Sequence, residues 1–253
     1  VETIKKEFAG KICSNADIEM VSREYPVELA YSLALIACDD SSSVIPKWLI
    51  LTYPKIEWII QLLCNTRCEK GCSYCSYALN VNIALKHYFG FSSFRTYNGE
   101  NLQEKAAQAA VNGKSLLAVF PTGGGKSITF QLPALMAGKS MHGLTVVISP
   151  LQSLMKDQVD NLVDKGIESA VTINGMLNPI ERADALDRVK SGSASILYIS
   201  PEQLRSKTIE YLLLGRTIAR FVIDEAHCFS AWGQDFRVDY LYIGDFIRHI
   251  QEQ

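Results

Sequence analysis

The chain lacks several features that would place it in common classes of protein. Across its 253 residues, no uninterrupted apolar stretch approaches the roughly 18 residues of a membrane-spanning helix, so we expect neither a membrane span nor a membrane partner. The formal net charge is −2 and the pI is about 6.1, which excludes a generally basic surface for coating nucleic acid. The first residues, VETIKKEFAGK, contain neither an initiator methionine nor the apolar core of a secretion signal. We therefore expect a globular piece of a longer, intracellular protein.

The segment FPTGGGKS at 120–127 contains the residues needed to hold a nucleoside triphosphate by its phosphates. Its consecutive glycines allow a tight turn in which backbone N–H groups point at phosphate oxygens. The lysine supplies charge for the β- and γ-phosphates, and the serine hydroxyl completes the coordination of Mg²⁺. The apolar run 115–120 predicts a buried strand before the loop, and 127–138 predicts a helix after it. An ordinary glycine-rich turn is the alternative. The residues expected to bind ATP and Mg²⁺ are Thr122, Gly123, Gly124, Gly125, Lys126 and Ser127.

A second segment, RFVIDEAHC at 220–228, is typical of an apolar strand that ends in two acids. A parallel sheet would present Asp224 and Glu225 at its carboxyl edge. There Asp224 is placed to hold Mg²⁺ through water, and Glu225 to orient or deprotonate the attacking water. Taken alone, the two acids could equally belong to a solvated turn. Together with Lys126 they are the predicted catalytic residues, and we expect His227 to report the occupied site to whatever binds nearby.

Apolar strands alternate with helical segments from about Val81 onward. This alternation predicts an α/β fold with a parallel sheet and helices on both faces. Residues 1–63 instead contain apolar runs separated by the breaker DDSSSVIP, which predicts a small α-rich unit. We therefore divide the chain into residues 1–80 and residues 81–253. The predicted strands are 115–120, 144–149, 170–174, 195–199 and 220–224, and the predicted helices are 101–112, 127–138, 152–165, 178–190, 201–213 and 239–251.

Four of the seven cysteines lie close together in the segment CNTRCEKGCSYC. Thiolates at these spacings suit a tetrahedral Zn²⁺ ion, and an iron–sulfur cluster uses the same ligands. A cluster without metal is a further possibility, whereas two disulfides would be unusual inside a reducing cell. The predicted site, which would close the α-rich unit, consists of Cys64, Cys68, Cys72 and Cys75. The remaining cysteines, expected to be small core residues, are Cys13, Cys38 and Cys228.

Five motifs, in order, resemble those of the RecQ family of superfamily 2 DNA helicases: FGFSSFR, FPTGGGKS, VVISPLQSLMKDQVDNL, ILYISPEQL and VIDEAHCFSAWGQDFR. The resemblance covers about Leu85 to the C-terminus. It implies that residues 81–253 form the first of two RecA-like lobes, cut short at the C-terminus, with the second RecA-like lobe as a partner in the parent chain.

The resemblance also implies an activity. The parent protein would hydrolyse ATP to move 3′ to 5′ along DNA, single-stranded or at a strand junction, in a bacterial nucleoid or a eukaryotic nucleus. The alternative is a nucleotide-dependent binding or scaffold module that separates no strands. A third hypothesis makes the cysteine unit a redox or metal sensor that governs the ATPase. Residues 1–80 match nothing in the family.

The resemblance assigns three residues to the adenine base. In the family, an aromatic residue stacks on adenine, an arginine packs beside it and a glutamine hydrogen-bonds its edge. Phe91 and Arg95 match the first two. The glutamine usually follows the arginine by three residues, but TYNGENL intervenes here, so Gln103 is the candidate and the loop before it is longer than in the family. A glutamine that merely begins a helix is the alternative.

DNA contacts are expected from the loop after the acids and from two strand ends that contain serine. Aromatic residues of that loop suit stacking on exposed bases, worth about 1–3 kcal/mol each. The strand ends in SPLQSLMKDQ and SPEQL place hydroxyls at helix starts, where phosphates bind. The alternatives are aromatic residues that fill a core and serines that only cap helices. The predicted DNA-binding residues are Ser149, Ser153, Lys156, Ser200, His227, Phe229, Trp232, Phe236 and Arg237.

Overall fold

The computed structural model describes residues 1–38, 44–121, 123–227 and 234–252; for residue 47 and residues 234–241 it describes the backbone alone. The chain forms two compact units, which divide between Met141 and His142. The sequence-based boundary between residues 80 and 81 therefore falls inside the first unit, at the start of a helix. As a division into domains, that boundary stays a prediction.

The first unit consists of short helices around one apolar core. Buried residues from distant parts of the sequence, among them Ile18, Leu63, Leu85 and Leu132, belong to the same cluster. The α-rich character predicted for the beginning of the chain is thus present. The helices are α1 (Glu2–Glu7), α2 (Ile18–Glu24), α3 (Pro26–Ala37), α4 (Lys47–Thr52), α5 (Lys55–Ile60) with a π-helical turn over Gln61–Asn65, α6 (Ser73–Ala78), α7 (Val81–Phe89), α8 (Leu102–Val111) and α9 (Ile128–Met141).

The predicted strand at 115–120 is absent from the described residues. The segment forms no ladder with any strand, and the side chains of Leu117 and Val119 are 82% and 79% exposed. The prediction rested on an apolar run alone. A strand also needs a neighbour for its backbone N–H and C=O groups, and this segment pairs with none in the described part of the chain.

The second unit contains a parallel sheet of four strands in the order β2-β3-β1-β4. Parallel pairing joins Val146 to Leu197 and Val146 to Phe221, so β1 lies between β3 and β4. Buried parallel strands are typically apolar runs, and this pattern predicted β1, β2, β3 and the half-buried β4 from sequence. The strands are β1 (Leu144–Ile148), β2 (Ala170–Ile173), β3 (Ile196–Ile199) and β4 (Ile218–Ile223).

Helices flank this sheet, and the predicted α/β class with helices on both faces is confirmed. The helix predicted over 201–213 is interrupted, because Pro201–Arg205 form a 3₁₀ turn before the helix continues. None of the described helices combines the length and apolar character needed to cross a membrane. The helices of this unit are α10 (Gln152–Val163), α11 (Pro179–Ser191), α12 (Lys207–Leu214) and α13 (Gln234–Glu252).

The carboxyl edge of the sheet brings polar residues together. Strands β3, β1 and β4 are neighbours, and each ends on a buried or half-buried isoleucine. The residue that follows each isoleucine is Ser200, Ser149 or Asp224, in that order. Register therefore places two hydroxyls and a carboxylate along one edge, which is where ligands bind in open α/β sheets.

Candidate functional site

The segment FPTGGGKS at 120–127, which we call the phosphate loop, requires glycine at three successive positions. Gly123 and Gly125 have φ angles of +72° and +69°, which side chains disfavour. Gly124 donates its N–H to the carbonyl of Pro121 at 2.9 Å, and a Cβ atom at Gly124 would lie 2.7 Å from that same oxygen. The glycines that predicted the loop are therefore needed for its conformation. Thr122 lies outside the described residues.

Side chains upstream of the loop hold its carbonyl groups. Each of three consecutive carbonyl oxygens accepts a hydrogen bond from a different side chain. The pairs are Arg95 Nη1 to Gly123 O at 3.0 Å, the Tyr97 hydroxyl to Gly124 O, and Gln103 Nε2 to Gly125 O at 2.8 Å. In a trans peptide the C=O of one residue and the N–H of the next point in opposite directions. The N–H groups of Gly125 and Lys126 are therefore directed away from Tyr97 and Gln103.

Gln103 lies in the first turn of α8 and is 3% exposed. Its Oε1 accepts the backbone N–H of Arg95 at 2.9 Å, while its Nε2 donates to the phosphate loop. The structure thus joins two of the three predicted adenine residues to the loop. Phe91 is 48% exposed, and its ring lies 6.3 Å from that of Phe89, with 10° between the planes. The contact of these residues with adenine stays a prediction.

Tyr97 is a candidate residue that the sequence analysis missed. It lies in the intervening segment TYNGENL, where its N–H and C=O form hydrogen bonds with the C=O and N–H of Glu100 across Asn98 and Gly99. Both central residues have positive φ, 49° and 82°, as a tight hairpin turn requires. The ring of Tyr97 lies 5.3 Å from that of Phe120. The Asn-Gly pair in TYNG was the sequence signal for this turn.

The two acids lie where the sequence predicts, at the end of β4. Asp224 is 9% exposed and its N–H donates to the carbonyl of Ile148 at 2.9 Å. Glu225 donates its N–H to Asp224 Oδ1 at 3.0 Å, and its own φ of +51° is uncommon for a residue with a side chain. His227 Nδ1 lies 3.2 Å from Glu225 Oε2. The backbone turn and these contacts fix the direction of both carboxylates.

Ser149 and Ser200, predicted to contact DNA phosphates, are buried. They are 2% and 0% exposed, and neither hydroxyl has a hydrogen-bond partner among the described residues. The Ser149 N–H donates to Ile199 O at 3.0 Å, which holds the two strand ends side by side. In this conformation neither hydroxyl reaches solvent, so a phosphate contact requires the surrounding chain to move.

The other predicted DNA residues differ in how far they are described. Ser153 and Lys156 are exposed and lie three residues apart on α10, hence on one face of that helix. His227 is exposed near the acids. Phe229 and Trp232 lie outside the described residues, and of Phe236 and Arg237 only the helical backbone is described.

The cysteine cluster forms, but with a different fourth member. The sulfur atoms of Cys13, Cys68, Cys72 and Cys75 all lie within 4.8 Å of one another. Cys64 is not among them and was wrongly included in the prediction. It lies in the π-helical turn with its side chain in the core, where its thiol donates to Lys11 O at 3.7 Å and burial raises its pKa to about 12.

The fourth cysteine of the observed cluster, Cys13, lies far from the others in sequence, so spacing alone could not find it. Its N–H donates to Leu63 O at 2.8 Å, which brings the segment after α1 to the middle of the π-helical turn. Burial raises the pKa of the Cys13 thiol. Burial also acts to raise the pKa of Cys72, but hydrogen bonds from Cys75 and Ser14 outweigh it and lower that pKa to about 6.

Comparison with known proteins decides the family. The sequence profile of the DEAD/DEAH box helicase family matches residues 100–253, which is more than half of the chain. The chain belongs to the DEAD/DEAH box helicase family. The RecA-like character of the sheet inferred from the motifs is thereby confirmed. The cysteine cluster and the segment that contains Phe91, Arg95 and Tyr97 precede the matched region.

Within this helicase family, the chain is similar to RecQ proteins, as its motifs predicted. It is 42% identical over 160 residues to the "Probable ATP-dependent DNA helicase RecS" of Bacillus subtilis, covering 63% of this chain and 30% of that protein. It is 42% identical over 170 residues to the "ATP-dependent DNA helicase RecQ" of the same organism, covering 67% and 27%. It is 41% identical over 171 residues to the "ATP-dependent DNA helicase Q5" of Rattus norvegicus, covering 65% and 17%. The helicase chain thus spans less than a third of the length of these relatives.

One solved structure is also similar, at a more distant level. The crystal structure of the DUF1998 helicase MrfA aligns with a TM-score of 0.49 and 22% identity, covering 68% of this helicase chain and 26% of that chain.

Proposed function

We propose that this chain is the nucleotide-binding lobe of a RecQ-like, ATP-dependent DNA helicase. The observation that carries the proposal is the set of three side-chain hydrogen bonds to successive carbonyls of the phosphate loop. They direct the N–H groups of Gly125 and Lys126 to the other side of the loop, where phosphate oxygens would accept them. The loop also needs glycine for the conformation that presents these N–H groups, because a Cβ at Gly124 would collide with the Pro121 carbonyl.

ATP and Mg²⁺ would engage a small number of residues in this lobe. Lys126 would neutralise the β- and γ-phosphates, and the Ser127 hydroxyl would be a ligand of Mg²⁺. Asp224 would hold the same ion through water, and Glu225 would orient or deprotonate the attacking water. Two contacts support these roles, since the Glu225 N–H holds the Asp224 carboxylate and His227 Nδ1 lies 3.2 Å from the Glu225 carboxylate. Thr122 would complete the loop.

In the parent protein, hydrolysis would drive 3′-to-5′ movement along DNA. The exposed pair on α10, Ser153 and Lys156, suits a sugar–phosphate strand. The aromatic loop that contains Trp232 would stack bases, and its neighbour His227, close to Glu225, would link DNA binding to catalysis. Ser149 and Ser200 would join the path only after a conformational change.

We propose that strand separation needs the second RecA-like lobe, which would supply an arginine to the γ-phosphate. The chain alone would then bind ATP but turn it over weakly. Such a protein would act wherever its DNA is, in a bacterial nucleoid or a eukaryotic nucleus.

Nucleotide titrations test the proposal directly. A fluorescent ATP analogue with Mg²⁺ should bind the chain, and Lys126→Ala should abolish most of that binding. Glu225→Gln should leave binding intact, and in a longer protein that includes the second lobe it should abolish DNA-stimulated hydrolysis. Equal binding by Lys126→Ala and the unaltered chain would refute the nucleotide site. Hydrolysis without strand separation by the longer protein would favour a nucleotide-dependent binding module instead.

A further inference from the structure

We propose that Cys13, Cys68, Cys72 and Cys75 bind a single zinc ion at a structural site that is separate from the nucleotide site. The four sulfur atoms lie within 4.8 Å of one another and come from two segments of the first unit. The site lies outside the region matched by the helicase profile and does not depend on the proposed helicase function.

The distances fit one ion rather than a cluster of several. Four sulfurs bound at about 2.3 Å to a tetrahedral Zn²⁺ ion lie about 3.8 Å from one another. The sulfurs of Cys13 and Cys72 are 3.8 Å apart. An iron–sulfur cube holds each thiolate on a different iron, which requires a wider separation than the 4.8 Å limit found here. The iron–sulfur alternative is therefore disfavoured.

The ligand chemistry selects the metal. All four ligands are thiols, and neither a carboxylate nor an imidazole belongs to the group among the described residues. Soft thiolates in tetrahedral geometry favour zinc over the oxygen-seeking ions Mg²⁺ and Ca²⁺. The same cysteines are free rather than paired as disulfides, and the 3.8 Å between Cys13 and Cys72 is far longer than the roughly 2.05 Å of a disulfide bond.

Hydrogen bonds around the sulfurs resemble those that orient metal ligands. Asn15 Nδ2 donates to Cys68 Sγ at 3.4 Å and also to the carbonyl of Gly71 at 3.0 Å. The N–H of Cys75 donates to Cys72 Sγ at 3.4 Å. Gly71 has a φ of +69°, which allows the turn between Cys68 and Cys72. Donors of this kind stabilise thiolates and fix their direction.

The position of the site indicates a structural role. Protein ligands fill all four positions of a tetrahedral ion, which leaves none open for a substrate. Cys13 and Cys75 are each 1% exposed and belong to the apolar core that also contains Leu132 and Met136 of α9. The zinc ion would therefore join the beginning of the chain to the core on which the helix after the phosphate loop packs.

Metal analysis of cysteine variants tests the ligand set. The unaltered chain, purified without chelator, should contain about one zinc per chain. Cys13→Ser should reduce zinc to near zero, whereas Cys64→Ser should retain it. Cys64 is the matched control, because it too is buried in the same core and lies closer in sequence to the other ligands. Loss of zinc in Cys64→Ser with retention in Cys13→Ser would overturn the assignment, and so would absence of zinc from the unaltered chain.

A second measurement does not depend on the folding of any variant. In the unaltered chain, bound zinc should protect the four ligand cysteines from alkylation, and a chelator should expose them together, as read by mass spectrometry of the peptides. Cys38, which is exposed, should react in both conditions. Replacement of zinc by Co²⁺ should give the visible absorption of a tetrahedral four-thiolate site. Protection of Cys64 in place of Cys13, or bound iron with its own visible spectrum, would contradict the proposal.

Discussion

At the scale of single residues, the phosphate loop depends on donors outside its own motif. Glycine allows the turn, but it also allows the loop many other conformations. Fixing the loop in one conformation therefore costs conformational entropy. Arg95, Tyr97 and Gln103 each donate to one loop carbonyl and restrict that freedom. A hydrogen bond of this kind contributes about 0.5–1.5 kcal/mol. These hydrogen bonds therefore hold the loop in one conformation, as the proposed nucleotide site requires.

Tyr97→Phe tests this role with a minimal change. The ring keeps its packing on Phe120, but the donor to the Gly124 carbonyl is lost. We expect the affinity for a fluorescent ATP analogue to fall by about 2- to 12-fold, which corresponds to about 0.5–1.5 kcal/mol. Tyr77→Phe is the control, since Tyr77 is 69% exposed in the same unit. Unchanged affinity in Tyr97→Phe would show that its hydroxyl has no part in ordering the loop.

Gly124→Ala tests the loop conformation itself. The added Cβ would meet the Pro121 carbonyl at 2.7 Å, so the loop must shift. Overpacking of this kind costs about 1–3 kcal/mol, and we expect nucleotide affinity to fall about 5- to 150-fold. Gly244→Ala, where a Cβ meets nothing within 4 Å, should bind as the unaltered chain does. Isothermal titration with a non-hydrolysable ATP analogue measures both, and equal affinities would contradict the steric argument.

At the scale of elements, the sequence could predict the strands that are marked by an apolar pattern within their own residues. Strands β1, β2 and β3 are apolar runs that are buried along their length, and β4 is a half-buried run, so their order along the chain followed from the apolar pattern. The run at 115–120 has the same composition, but a strand depends on a neighbour that composition does not reveal. Sequence spacing likewise could not predict that Cys13 joins the cysteine cluster. Its position depends on a hydrogen bond from its N–H to Leu63 O, which joins segments far apart in sequence. Long-range partners account for both errors.

The carboxyl edge of the sheet contains a buried hydroxyl, that of Ser200, which we expect to reduce stability. Ser200 is fully buried and its hydroxyl has no partner among the described residues, and an unsatisfied polar group of this kind costs about 1–3 kcal/mol. We expect Ser200→Ala to leave the free energy of unfolding in urea unchanged or to raise it.

Ser195→Ala is the matched control, because the buried Ser195 hydroxyl donates to Ser169 Oγ at 3.0 Å. Loss of that hydroxyl should lower the free energy of unfolding by about 0.5–1.5 kcal/mol. A clear loss of stability in Ser200→Ala would mean that its hydroxyl has a structural partner, and reduced DNA binding by a stable variant would support its place on the strand path.

At the scale of the whole molecule, the beginning of the chain and the phosphate-loop helix form one unit. The buried cluster contains Ile18 and Leu85 as well as Leu132, so residues far outside the helicase match share a core with α9. A change that loosens this core should therefore affect the nucleotide site. The family profile begins at residue 100 and gives no indication of this dependence.

Removal of the metal tests the dependence. At a zinc concentration 1,000-fold above the dissociation constant, binding stabilises a protein by about 4 kcal/mol. For a domain of this size, each kcal/mol of lost stability lowers the melting temperature by about 2–4 °C. A strong chelator should therefore lower the melting temperature by roughly 10 °C. Added zinc should restore it, whereas Mg²⁺ should not.

Cys64→Ser should respond to the chelator like the unaltered chain, while Cys68→Ser should start at a lower melting temperature and show no further drop. If the chelator strips the zinc and the melting temperature stays constant, the ion does not stabilise this core, and weaker ATP binding after its removal would need another cause.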